Sequence, residues 1–293
     1  MTQSVTGPAI ALVVCTRNRG AQLPVTLASH AAMRPSVPWE LVLVDNGSTD
    51  STPALLRDFA ARASFSVTLV HEPRPGLASA RNAGVRAARA PLLAFTDDDC
   101  YPDHDLLDRW VECFADPAIG YAAGRILLHD PEDFPITIRT DLEPQTLRPG
   151  AFVEPGFLQG ANMAFRRELL RELGGFDPAL GPGGRFNFED LDMSSRASSA
   201  GAAGGYFPGP TVRHHHRRRH PAQIADLRHS YARGRGAYFA SLLLRGDGSR
   251  SLFGHLRRSL AWKSRTEVVL EVVSAVHYAA YRLARRAERP LRG

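Results

Sequence analysis

The sequence of 293 residues holds only three cysteines, Cys15, Cys100 and Cys113. Odd in number, widely spaced and without a C-x-x-C pair, they suggest neither a disulfide framework nor a structural zinc site, and a cytoplasmic, reducing setting fits best. Long apolar runs are also missing. A membrane-spanning helix needs about 18 uncharged apolar residues; the nearest stretch, "VVLEVVSAVHYAAYRLA", is broken by Glu271, His277 and Arg282. The opening "MTQSVTGPAIALVVCTRNR" has no basic start and too short an apolar run for a secretion signal. No G-x-G-x-x-G follows the first apolar run and no G-x-x-x-x-G-K-[ST] occurs, which removes nicotinamide dehydrogenases and P-loop kinases.

What is present reads as an ordinary globular chain, 44% hydrophobic and 23% charged, long enough for one large α/β domain with an appendage. Its net charge of +6 is unevenly spread. Residues 213–293 carry 18 Lys/Arg against 5 Asp/Glu, net +13, which leaves 18 against 25, net −7, for residues 1–212. Such asymmetry points the C-terminal part towards an anionic partner: nucleic acid, anionic lipid or a phosphorylated substrate.

Along the chain, "AIALVVCT" and "WELVLVDNGS" are continuous apolar runs of the kind found in parallel strands covered on both faces, and "AQLPVTLASHAAM" between them has helical spacing. "DSTPALLRDFAARA" reads as a helix with Ser51 or Thr52 as N-cap and Pro53 in its first turn. "SVTLVHE" is a third strand, "GLASARNAGVRAARA" a helix, and "PLLAFT" a fourth strand. A helix over "DHDLLDRWVECFA" follows, then a Pro-rich and acidic connection over 130–157, irregular or hairpin-containing. "FLQGANMAFRRELLRELGGFD" leads from strand into helix, and a glycine-rich, mobile loop around 179–185 precedes a helix starting near Phe188. The last segment predicts helices over 222–244 and 252–286. In open α/β sheets ligands bind beyond the carboxyl ends of the strands, and "TRNR", "DNGSTD" and "TDDD" all fall there.

Three adjacent carboxylates, Asp97, Asp98 and Asp99, repel one another unless a cation intervenes. In extended backbone Asp97 and Asp99 share a side, an oxygen-rich D-x-D pair suited to Mn²⁺ or Mg²⁺. Asp45 ends the second strand, where a carboxylate can read ribose or base. "FNFEDLD" brings Glu189, Asp190 and Asp192 to a helix start, where a carboxylate can act as general base towards a hydroxyl.

The ordered set "VVCTRNR", "LVLVDNGSTDST", "GLASARNAGVRAARAPLLAFTDDDCYPD", "GANMAFRRELLRELGGFD" and "FEDLDMSSR" resembles family 2 glycosyltransferases of the GT-A fold. The resemblance implies a Rossmann-like, mixed and mostly parallel sheet flanked by helices, spanning residues 1–216, with a nucleotide-binding half to about residue 100 and an acceptor half beyond it. Residues 217–293 would form a basic helical extension. It further implies a nucleotide-diphosphate-sugar donor, a divalent metal, and transfer with inversion to a hydroxyl of a glycan, lipid-linked or other envelope acceptor. On matching positions, Thr16 and Arg17 would line the nucleotide pocket and Asp45 would contact base or ribose. Arg81 would lie near the nucleotide or diphosphate, and Asp97 near ribose or metal-bound water. Asp98 would support them, Asp99 would be a direct metal ligand, and Asp190, beside Glu189, would be the base. A metal-binding histidine is expected at His214, with His215 and His216 as alternative registers.

Two rivals are a nucleotidyltransferase-like enzyme and a noncatalytic carbohydrate- or membrane-surface-binding protein on the same scaffold. The first normally has a Lys-containing glycine-rich loop that "CTRNRGAQLP" does not match, and the acidic set speaks against the second. In the last helix Val268, Val269, Val272, Val273, Val276 and Leu283 share one face, against Glu267, Glu271, Ser274, Arg282 and Arg285 on another. This pattern fits packing on the catalytic domain, a homodimer, or peripheral contact with an anionic membrane face. Nucleic-acid binding is disfavoured because few aromatics interleave with the arginines.

Overall fold

The computed structural model describes residues 7–247, 249–259 and 263–287. Its first half alternates strand and helix: β1 (Ile10–Thr16), α1 (Leu23–Ala31), β2 (Trp39–Asp45), α2 (Thr52–Arg62), β3 (Ser66–His71), α3 (Leu77–Ala87) and β4 (Leu92–Asp97). β1 pairs in parallel with both β2 and β4, and β2 with β3. Along β1, Ala11 and Val13 enter one hydrophobic core while Ile10, Leu12 and Val14 enter the other. A period of two with both faces buried is why the strand reads as a continuous apolar run. At the start of α2, Asp50 Oδ1 accepts from the Thr52 amide at 2.9 Å, whereas the Ser51 side chain makes no capping bond.

The second half adds β5 (Cys100–Pro102), α4 (Leu106–Cys113), β6 (Ile119–Leu128), β7 (Gln145–Leu147), β8 (Asn162–Arg166), α5 (Arg167–Glu172), α6 (Glu189–Ser199) and β9 (Ala203–His214). The full sheet runs β3-β2-β1-β4-β8-β6-β9-β5, with β7 pairing β9. β8 is antiparallel to β4 and β6, β6 is parallel to β9, and β5 and β7 are antiparallel to β9. The fold is thus mixed α/β, as expected. Fully buried Trp110 on α4 anchors one core, so its truncation to alanine should cost roughly 3–5 kcal/mol.

Three more helices follow among the described residues: α7 (Pro221–Arg245), α8 (Ser249–Ser259) and α9 (Arg265–Ala287). The helix expected over 252–286 is therefore two helices, because Lys263 and Ser264 are non-helical. Tyr238, Phe239 and Leu242 of α7 join the same core as α3, so α7 shares an interior with the first half of the chain. No helix among the described residues is long and apolar enough to cross a membrane.

Of the three fits for the valine face of α9, packing against the rest of the protein is not the one found among the described residues. The buried residues are Glu271, Ser274 and Tyr278, while Val269, Val272, Val273 and Val276 are 46–62% exposed. A Cβ on Gly236 of α7 would collide with the Glu271 carbonyl, so the two backbones touch. Arg235 then donates to Glu271 Oε1 at 2.6 Å and Lys263 to Oε2 at 2.7 Å. Paired charges and close backbones hold the polar side inward, and the valines are left outside. Arg285, placed by sequence on the polar face, has a side chain outside the described set.

Candidate active site

The carboxyl ends of β1, β2 and β4 form one rim of a cleft of about 1200 Å³. Their loops are stitched together locally. Asn18, in left-handed backbone at φ 53°, accepts from the Thr49 amide at 2.8 Å, and Ser48 Oγ accepts from the Asn18 amide at 2.9 Å. Asp50 accepts from the Gly20 amide at 2.9 Å. Asn46 donates to the Glu72 and Arg74 carbonyls and accepts from the Gly76 amide. Gly76 has φ 130°, a conformation that disfavours any side chain. Opposite, the Leu77 amide bonds the Pro182 carbonyl at 2.9 Å, so the 181–187 loop meets the start of α3.

Asp97, Asp99, Cys100 and His214 bring one potential ligand atom each within 4.8 Å of one another. His214 Nε2 lies 3.3 Å from Asp99 Oδ1, and its Nδ1 lies 3.3 Å from the Thr137 carbonyl, which can accept the Nδ1 proton. That tautomer leaves Nε2 free to face a cation. Burial lowers the His214 pKa, but the neighbouring Asp99 outweighs it, and the net shift is upward. Burial holds the Cys100 thiol well above its ordinary pKa and therefore protonated, so two carboxylates and an imidazole are the available donors. This set fits Mn²⁺ or Mg²⁺ better than a thiolate-seeking metal. Asp98 points elsewhere: Arg19 Nε donates to its Oδ1 at 3.1 Å. Burial raises Asp98 to about 6.

The other two histidines are outside this cluster and lie 3.8 Å from other carboxylates, His215 from Asp130 and His216 from Asp133. His215 meets Tyr101, and His216 Nε2 lies 3.1 Å from the Phe134 carbonyl. Next to them Arg219 binds Asp130, Glu132 and Asp133 at 2.5, 2.6 and 3.0 Å. Part of the basic run is thus a latch on the 130–133 loop. Arg218 differs: it lines the cleft, its charge helps lower the Asp99 pKa, and its Nη1 is buried without a hydrogen-bond partner among the described residues. A buried, unpaired guanidinium nitrogen is costly and marks a place for an anionic oxygen.

Across the cleft, Arg81 is 2% exposed and joins the two acidic centres. Its Nη1 donates to Glu189 Oε1 at 2.5 Å, and its Nη2 lies 3.4 Å from Asp97 Oδ1. Asp190 is held by amides of Gly160 at 2.8 Å and Leu191 at 2.7 Å. Burial raises its pKa, an effect that Arg81 opposes. Burial, then the Asp190 charge, raises Glu189 to about 7. Phe188, just before this pair, is left-handed at φ 78°, an uncommon conformation for a non-glycine residue. A Cβ on Gly234 of α7 would collide with its ring, so α7 braces the turn. Tyr231 of α7 also lines the cleft; burial, then the Asp190 charge, raises its phenol to about 12.

Of the residues expected from sequence, Thr16, Arg17, Arg81, Asp97, Asp98, Asp99, Glu189, Asp190 and His214 line this one cleft. Asp45 stands at its edge, engaged by the Ser48 amide and by His71 at 3.0 Å each, and its neighbour Asn46 takes the lining position. Sequence reading missed Arg19, Arg218 and Tyr231 as lining residues. Only Arg19, inside the quoted "TRNR", lay in a segment already singled out for its place at a strand end.

A family model described as glycosyl transferase family 2 matches residues 11–174. The chain is 24% identical over 195 residues to glycosyltransferase AglE of Haloferax volcanii, covering 66% of this chain and 62% of that protein. It is 28% identical over 216 residues to the pre-mycofactocin glycosyltransferase of Mycobacterium tuberculosis, covering 71% of this chain and 43% of that one. It thus spans less than two thirds of either relative's length. Among solved structures, the Pyrobaculum calidifontis mannosyltransferase PcManGT in complex with GDP-Man and Mn²⁺ superposes with a TM-score of 0.64 at 24% identity. That match covers 98% of this chain and 77% of the other.

Proposed function

Because the chain belongs to glycosyl transferase family 2, we propose that it moves a sugar from a nucleotide-diphosphate-sugar to an acceptor hydroxyl, with inversion at the anomeric carbon. The observation that carries this is the pairing, in one cleft, of the Asp97, Asp99 and His214 cluster with Asp190, while Arg81 ties Asp97 to Glu189, the neighbour of Asp190. Residues 1–216 would act as the catalytic domain and residues 217–293 as an extension that borders the acceptor.

Thr16 and Arg17 would line the nucleotide, with Asp45 and Asn46 near ribose or base. Asp99 and His214 would hold Mn²⁺ or Mg²⁺, and Asp97 would act through ribose or metal-bound water. When bound, the cation supplies charge neutralisation for the diphosphate. Arg218, whose Nη1 has no hydrogen-bond partner among the described residues, would add a donor to a diphosphate oxygen. Asp98, tied to Arg19, would hold the loop after β1 in place.

Asp190 would accept the proton of the acceptor hydroxyl as its oxygen attacks the anomeric carbon and the bond to the diphosphate breaks on the opposite face. A single displacement needs no enzyme nucleophile. The amides of Gly160 and Leu191 fix the carboxylate's orientation, which lets a weak base act at a defined point. Leu227 and Tyr231 would flank the acceptor, as members of the same lining. A glycan or lipid-linked acceptor suits this reading. Calorimetric titration with a panel of nucleoside diphosphates and their sugars tests it. Binding of at least one donor that requires Mn²⁺ or Mg²⁺ and disappears with a chelator is expected; no binding with either ion would overturn it.

A further inference from the structure

The outward side of α9 has no partner among the described residues. Val269, Val272, Val273, Val276 and Leu283 are 59%, 59%, 46%, 62% and 55% exposed and follow helical spacing. They make one stripe about 21 Å long at 1.5 Å per residue. Five large aliphatic side chains in a row on a soluble helix mark a contact surface, whereas scattered exposed valines do not. The stripe is also free of acid. Residues 249–287 carry eight Lys/Arg and only two Asp/Glu, Glu267 and Glu271. Glu271 is buried under Arg235 and Lys263, and Glu267 accepts from Ser264 and Arg235. Exposed Arg265 stands at the start of the stripe, and Arg257 and exposed Phe253 lie on α8.

We propose that this stripe of α9 docks on the surface of an anionic phospholipid bilayer, lying in the headgroup plane without crossing it. Charge decides the occupant. Apolar side chains can enter the acyl boundary while exposed Arg265, at the start of the stripe, and Arg257 on α8 meet lipid phosphates, the combination by which interfacial helices bind. Pairing the same stripe with a second copy would bring two cationic segments together and offer them no acidic partner. The geometry also gives the contact a use. Glu267 and Lys263, at the start of α9, line the catalytic cleft, so docking would hold the cleft's helical wall beside the lipid surface.

Flotation of the full chain with vesicles tests this independently of any transfer activity. At low salt the protein should float with phosphatidylcholine–phosphatidylglycerol vesicles and remain behind with phosphatidylcholine alone. The double variant Val272→Glu/Val276→Glu should lose binding by about tenfold or more. Both positions are exposed, so its thermal melting should match the parent's. Val25→Glu, at a 55%-exposed valine on α1, should float like the parent. Failure of the parent to float, or equal flotation of the double variant, would overturn the proposal. So would a parent dimer, seen by light scattering, that the double variant dissociates, since the stripe would then be covered by a second copy.

Discussion

Arg81 Nη1 meets Glu189 Oε1 at 2.5 Å across 108 residues of sequence, while Nη2 of the same guanidinium lies 3.4 Å from Asp97. One buried cation therefore fixes the start of α6 against the end of β4. Breaking a buried pair by removing one partner typically costs about 3–5 kcal/mol, because the remaining charges lose their compensation. Arg81→Met should lower the unfolding free energy by that order in urea titration. A change no larger than that of an exposed ion pair would show that the bridge does not hold the cleft together.

Arg19 reaches both Asp98, at 3.1 Å, and Asp99, at 3.5 Å, but only Asp99 also lies beside His214, at 3.3 Å. Asp99→Asn and His214→Ala should each weaken Mn²⁺-dependent nucleotide binding by about a hundredfold or more, since loss of even an outer-shell partner typically costs about tenfold to a hundredfold, with Asp98→Asn milder. Calorimetry with a nucleoside diphosphate checks the order, and equal losses at Asp98 and Asp99 would mean that the ligand register is wrong.

Burial raises the pKa of both Asp190 and Glu189, the latter to about 7. A general base acts only when deprotonated, so kcat/KM should rise with pH to a plateau. Its acid limb should fall well above the ~4 of an ordinary carboxylate. Asp190→Asn should lower turnover by roughly 10²–10⁴-fold while leaving donor affinity near the parent value. A pH–rate profile of the parent and single-turnover rates of the variant decide this.

His30 is fully buried, its Nδ1 is bonded to the Thr26 carbonyl at 2.6 Å, and its Nε2 has no partner among the described residues. Burial lowers its pKa from 6.5 to about 4. The unfolded chain takes up the proton first, so this contribution is complete above pH 6.5 and is lost as pH falls from 6.5 towards 4. At 1.36 kcal/mol per unit that loss is about 3 kcal/mol. His30→Gln should flatten the difference between urea unfolding at neutral and mildly acid pH. An unchanged slope would assign the acid sensitivity elsewhere.

The parallel half was legible because strands buried on both faces write themselves as apolar runs, and its strand-end motifs delivered most of the cleft. β6, "IGYAAGRILL", and β9, "AGGYFPGPTVRH", were not legible. The glycines of both and the prolines of β9 leave no local strand pattern, so the sequence assigns neither segment, and pairing with each other and with distant β5, β7 and β8 makes them strands. Arg218 and Tyr231 escaped because entry to the cleft depends on how α7 packs, which no local pattern encodes. In α9 the periodicity gave two faces correctly, but which one turns inward was decided by Gly236 and the charges around Glu271.

The proposed transfer by this cleft inverts the anomeric carbon. Proton NMR of the first product formed from an anomerically pure donor tests it most directly, followed with Mn²⁺ or Mg²⁺ and then with chelator. The account predicts release of nucleoside diphosphate only with the ion, and a new glycosidic bond of opposite anomeric configuration. A product of retained configuration, or turnover unaffected by Asp190→Asn, would contradict it.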